Sequence, residues 1–245
     1  MTPPSVSREA VPPEAASVTI VGRSSSVFTR VARIFAAELA VDYAFRVVPD
    51  LLSREPADYA GNPALRLPVM ETSVGAWFGA LSICRQLRRL STRPVAVAWP
   101  EDFDQPLLAN AQELTLQAMA TEVTLIMNQL AGSGESAHQR KLLDSLLGSL
   151  GWLDRNIALA REALARAVSS GGVLPRAGLP GGGLPGGGSP RPRWLSYLEV
   201  TLFCLVTHLE FRTVVPTAGY PQLLEFCRDF GERRSALDTA YRFDS

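Results

Sequence analysis

The sequence predicts a chain in two unlike parts, a mixed α/β segment followed by an all-α one. Three observations predict it. Short β-branched runs alternate with helical patterns in the first part. Three prolines, Pro94, Pro100 and Pro106, then break the pattern. Beyond them apolar residues recur at helical spacing and no stretch reads convincingly as a strand. The division places a tail at 1–16, the mixed domain at 17–92, a linker at 93–103 and the helical domain at 104–245.

Ser17 to Gly22 is a β-branched run closed by glycine, the pattern of a buried strand. A helix follows, with Val27, Val31, Ile34, Phe35 and Leu39 on one stripe, Arg30 and Arg33 off it, and Ser26 as the N-cap. Tyr43 to Val48 reads as a second strand. A strand-helix-strand unit of this length is a right-handed crossover, so its strands pair in parallel. Leu67 to Glu71 and Val74 to Trp77, separated by Thr72-Ser73, read as a hairpin. Ala80 to Leu90 is a helix with Arg85, Arg88 and Arg89 towards its end, where positive charge complements the dipole. The order βαβ then ββα is that of a thioredoxin-like domain.

In the second part, Leu108, Ala111, Leu114, Met119, Val123, Ile126, Met127 and Leu130 mark a long helix ended by Gly132-Ser-Gly134. Leu143 through Leu164 marks another, and a short glycine-containing loop makes the two antiparallel neighbours. Residues 169–193 are a Gly/Pro-rich insert with a repeated Gly-Leu-Pro-Gly-Gly-Gly, read as a flexible, disordered loop. Ser196-Tyr-Leu-Glu199 has the spacing of a capping box ahead of the apolar run Val200 to Leu209. A closing helix runs through Phe230.

Composition excludes several functions. Lysine plus arginine equal aspartate plus glutamate at 24 each, so no global field attracts nucleic acid or an anionic membrane. Cys84, Cys204 and Cys227 are far apart with no Cys-x-x-Cys, which suggests buried thiols and neither a disulfide framework nor a zinc site. His138 and His208 match no metal spacing, so no metal is expected. No glycine-rich phosphate loop appears. Residues 1–16 lack the basic start and apolar core of a signal peptide, and no apolar run reaches the roughly 18 residues of a membrane span, so a cytoplasmic protein is expected.

Two segments carry a resemblance to a known family. Ser26-Val-Phe-Thr-Arg-Val-Ala-Arg-Ile-Phe-Ala-Ala-Glu38 resembles the start of the first helix of serine-type, bacterial-like glutathione S-transferases, and Asn62-Pro-Ala-Leu-Arg-Leu-Pro68-Val resembles their Asn-Pro…Lys-Val-Pro-Val stretch. The Ser196 box, Leu209-Glu-Phe-Arg212 and Tyr220-Pro-Gln-Leu-Leu extend the match through the second part. The resemblance implies a thioredoxin-like N-terminal domain followed by an all-helical glutathione transferase C-terminal domain, a homodimer, glutathione as co-substrate and an apolar small-molecule electrophile.

It also implies site residues. Ser26 matches the serine whose hydroxyl stabilises the glutathione thiolate, with Ser24 and Ser25 as close rivals. Leu67 and Pro68 match the residue before a cis-proline that pairs its backbone with the cysteinyl unit, and Arg66 matches a cation that reaches the glycyl carboxylate. Gly79-Ala80 stands where the family has the Glu-Ser pair that holds the γ-glutamyl group. Losing two hydrogen bonds to charged groups weakens binding on the order of 100-fold, unless Glu71 or Ser73 compensates. The alternative function is a non-catalytic transferase-fold scaffold that binds a ligand or a protein partner.

Overall fold

The computed structural model describes residues 18–132, 136–169 and 194–244. The tail at 1–16 and residues 170–193 of the Gly/Pro-rich insert lie outside the described residues.

The first part is built of β1 (Thr19–Gly22), α1 (Val27–Glu38), β2 (Ala44–Val47), β3 (Val69–Thr72), β4 (Gly75–Phe78) and α2 (Ala80–Leu90). The strand order is β2-β1-β3-β4. β1 pairs in parallel with β2 and antiparallel with β3, which is also antiparallel to β4. This is the thioredoxin-like arrangement. β1 occupies the interior of the sheet, and Ile20 and Val21 are buried without exposure. α1 and α2 pack against each other, and Val31, Ile34, Phe35, Ile83 and Leu87 belong to one buried apolar cluster.

Gly22 ends β1 directly against α1. A Cβ on Gly22 would fall 2.4 Å from Thr29 Cγ2 and 2.5 Å from Thr29 Oγ1, and Thr29 is itself fully buried. Neither side can yield without shifting the strand or the helix. Gly22→Ala is therefore expected to lower the unfolding free energy by about 1–3 kcal/mol. Chemical denaturation checks this, and an unchanged midpoint would contradict the close approach.

The second part comprises β5 (Ala96–Ala98), α3 (Pro106–Leu130), α4 (Ala137–Ser169), β6 (Trp194–Ser196), α5 (Tyr197–Arg212), α6 (Pro221–Gly231) and α7 (Arg234–Asp238). α5 is apolar on nearly every face and lies buried among α1, α3 and α6, as expected of a helix with no polar side. α3 is less uniform. Gln112, Thr115 and Glu122 are buried beside its apolar residues, and Gln112 Nε2–H donates to Thr201 Oγ1 at 3.2 Å.

Several details go beyond the sequence reading or depart from it. β5 and β6 form a parallel pair, Ala96 opposite Trp194, in and beyond the stretch read as linker. Arg30 and Arg33, which lie off the apolar stripe of α1, are nevertheless buried. Arg30 crosses from α1 into the second part, donating to Thr207 Oγ1 at 2.9 Å and to the Ala236 carbonyl at 3.1 Å, with its guanidinium 4.3 Å from the Tyr241 ring centroid. Arg33 lies over Phe45 and donates to the Tyr43 hydroxyl. Aromatic faces and fixed acceptors replace the water these cations give up. Finally, the Ser196 capping box is half made. Ser196 Oγ accepts from the Glu199 N–H, but the Glu199 carboxylate turns to Arg161, 3.5 Å away.

Among the described residues no helix is long and apolar enough to cross a membrane.

Candidate functional site

A cleft of about 860 Å³ opens where the two parts meet. Its walls come from the β1–α1 loop with the first turn of α1, the loop ahead of β3, the start of α2, one face of α3 and the end of α5.

Ser26 stands on the first wall. Its extended backbone, φ −96° and ψ 125°, makes it the N-cap of α1, and its Oγ accepts from the Thr29 N–H at 3.3 Å. Accepting that bond leaves the hydroxyl proton uncommitted. Among the described residues none accepts it, so the proton is available to a ligand atom at the positive end of α1. Ser25 also lines the cleft. Ser24 lies beneath the loop, 1% exposed and away from the cleft walls.

The loop is held from the second part at two points. His208 Nε2 lies 2.9 Å from the Ser25 carbonyl, and because a carbonyl only accepts, that nitrogen carries the hydrogen. Its Nδ1 lies 2.8 Å from Glu122 Oε1. Burial pushes the Glu122 carboxyl above the usual carboxylate range, while His208 and Arg212 pull it back. The second point is Asp244, whose carboxylate accepts from the Ser24 N–H at 2.7 Å. The chain around Asp244 is seated by Tyr241, whose hydroxyl donates to the Cys204 carbonyl at 2.8 Å.

The opposite wall carries the residues ahead of β3. The Leu67–Pro68 peptide is cis, with Leu67 on the cleft and Pro68 buried behind it. Asn62 secures this loop by donating from Nδ2 to the Arg66 carbonyl at 2.8 Å and accepting from the Ala64 N–H at 3.0 Å. Arg66 lines the cleft, and among the described residues its guanidinium has no carboxylate partner. Leu67 and Arg66 thus face Ser26 across one cavity.

Gly79 and Ala80 complete that wall. Gly79 has φ 82° and ψ 139°, a conformation glycine adopts without the strain other residues suffer. It caps α2 with no side-chain bond, so the first N–H groups of α2 have no side-chain cap at the end of the helix where Gly79 and Ala80 line the cleft. Neither compensating residue reaches the site. Glu71 pairs with Arg46 at 2.6 Å on the exposed sheet surface, Ser73 lies in the exposed hairpin turn, and neither lines the cleft.

The apolar wall is Val123, Ile126, Met127 and Leu130 of α3 with Phe28 of α1, and Arg212 closes it at the end of α5. The cysteines take no part. All three are buried, and burial raises each thiol, that of Cys204 to about 12. Among the described residues no group of three or more His, Cys, Asp or Glu could hold a metal ion.

His208, Glu122, Arg212 and Asp244 escape sequence reasoning as site residues. The one signal was His208, a polar residue inside an apolar helical run.

No family model matches the chain, and no curated protein sequence does. Solved structures do. The chain is similar to a glutathione transferase family member from Pseudomonas fluorescens Pf-5 with bound glutathione, with a TM-score of 0.66 and 17% identity over 92% of this chain and 100% of that one. It is similar to a glutathione S-transferase from Methylobacterium radiotolerans in complex with glutathione sulfonate, TM-score 0.64, 15% identical, covering 94% and 97%. A third, from Methylobacillus flagellatus KT with glutathione bound, gives 0.62 and 18% over 92% and 100%. At such identities the likeness shows the fold, and the chain has the fold of the glutathione transferases.

Proposed function

We propose that the chain is a glutathione transferase-like enzyme of the serine type, which binds a glutathione-class thiol and activates it towards an apolar electrophile. The observation that carries this reading is Ser26, an N-cap that accepts from Thr29 and keeps its proton free in the cleft. A thiolate placed there receives a hydrogen bond from Ser26 Oγ and the favourable potential of the α1 N-terminus, the two influences that hold a thiol ionised near neutral pH. The backbone of Leu67 pairs with the cysteinyl unit, and Arg66 takes the glycyl carboxylate. The uncapped start of α2 receives the γ-glutamyl carboxylate through backbone N–H groups. The electrophile lies against Phe28, Val123 and Met127. Three fold neighbours crystallised with glutathione or a derivative support a glutathione-class ligand for the fold. The homodimer belongs to the same reading.

The scaffold alternative rests on Gly79-Ala80, which removes the acidic and hydroxyl partners of the γ-glutamyl group. Calorimetric titration with reduced glutathione separates the two readings. Binding at millimolar or tighter, about 4 kcal/mol, is expected, with conjugation of a generic aryl halide. No heat at ~10 mM glutathione together with no conjugation would sink glutathione itself as the co-substrate.

A further inference from the structure

Among the described residues the side chains of fixed charge that line the cleft are arginines, and the rest of its polar lining includes Ser25, Tyr59, Thr124 and Asn128. Arg66 and Arg212 line it from opposite parts of the chain, and among the described residues neither is in an ion pair. The uncapped α2 N-terminus adds a third locus that favours negative charge. Among the described residues no aspartate or glutamate lines the cleft.

Most acids on the surrounding elements are committed elsewhere, and those nearest the cleft, Asp50 and Asp58, lie beside Tyr59 on the loop after β2, not at the Gly79 turn. Glu122 is buried behind His208, Asp244 holds Ser24 N–H and approaches Arg23, and Glu71 holds Arg46. Asp50 accepts from the Leu52 N–H, and Asp58 from the Ser53 hydroxyl. The carbonyls at the two key turns are occupied as well. That of Ser25 accepts from His208, and that of Gly79 from the Ile83 N–H at 3.1 Å.

Glutathione brings two carboxylates, which suit this lining, and one α-ammonium, which does not. An ammonium set against Gly79 loses water and meets no carboxylate in the described lining, while the positive loci repel it. The turn is also shaped for glycine: at φ 82° a glutamate would be strained even though nothing lies within 4 Å of its Cβ. We infer that the cleft is made for an anionic peptide thiol that carries no free ammonium at the Gly79–Ala80 end, a thiol of the glutathione type blocked at its amino nitrogen. This rests on the reading of Ser26 and Leu67 as the thiol site.

The test is calorimetry on the full chain with three probes: reduced glutathione, N-acetylglutathione and the glycyl ethyl ester of N-acetylglutathione. N-acetylglutathione is expected to bind about tenfold tighter than glutathione, and esterification to remove about that much again. A Gly79→Glu variant, checked for folding by its melting temperature, should reverse the order of the first two. Equal or weaker binding of N-acetylglutathione to the native protein overturns the inference and leaves the thiol site standing. Failure of all three probes to bind at ~10 mM overturns both.

Discussion

Replacing His208 by leucine is expected to lower the unfolding free energy by about 3 kcal/mol or more and to reduce thiol activation in the protein that remains folded. Glu122 has no exposure and His208 has 3%. Removing the imidazole leaves a carboxyl enclosed by α3 and α5 without its partner, while its Oε2 already lacks one among the described residues. A buried acid in that position must protonate or admit water, and both cost stability. The double variant His208→Leu/Glu122→Leu should recover much of the loss, because exchanging both partners for apolar groups of similar size removes the unpaired carboxyl. It should not recover activity, since the Ser25 carbonyl is still released and the loop that aims Ser26 is no longer latched to α5. Denaturation midpoints and kcat/KM, measured on both variants, separate the two roles. A single variant within about 1 kcal/mol of the native protein, or a double variant of full activity, would show that the pair does not position the loop.

The parts of the fold legible in the sequence were those written locally. Val27 through Leu39 repeats at helical period behind a serine, and the structure returns a helix capped by Ser26. Thr72-Ser73 between apolar runs returns a hairpin, and Gly79 returns the turn into α2. What stayed hidden depends on residues distant along the chain. β5 and β6 are each three residues long and are strands only because Ala96 meets Trp194. Arg30 and Arg33 lie off the apolar stripe, and periodicity alone assigns such residues to water. Their burial follows from Phe203, Tyr241 and Phe45, which supply aromatic faces for the guanidinium groups. His208 shows the same limit at the site. A lone histidine in an apolar helix is more often a satisfied core residue, and this one is satisfied, by Glu122. Its second nitrogen reaches the loop carrying Ser26, which links an ordinary core contact to the cleft. The departure at Gly79-Ala80 was visible at once, but whether another acid compensates required the positions of Glu71, Ser73 and their neighbours.

Ser26→Ala is expected to reduce kcat/KM at neutral pH by about 10²-fold while costing only about 1 kcal/mol of stability. The two effects come from different halves of one hydroxyl. As an acceptor, Oγ caps Thr29 N–H at 3.3 Å, a long bond whose loss is modest. As a donor, in the proposed mechanism, it stabilises the bound thiolate by a charge-assisted hydrogen bond of about 1.5–3 kcal/mol, whose loss raises the bound thiol by about one to two pKa units. The sign follows: the hydroxyl favours the deprotonated form, so its loss lowers the thiolate fraction below the new pKa and matters little above it. The deficit of the variant should therefore shrink as pH rises towards and past the ordinary thiol value of about 8.5. Ser26→Asp supplies the contrasting case. Aspartate caps a helix as well as serine does, so the denaturation midpoint should hold, yet it offers no proton and places a negative charge beside the sulfur, so activity should fall further than in the alanine variant. Native-like activity in either variant, with only the midpoint moved, would reduce Ser26 to a helix cap and remove the thiolate donor from the proposed mechanism.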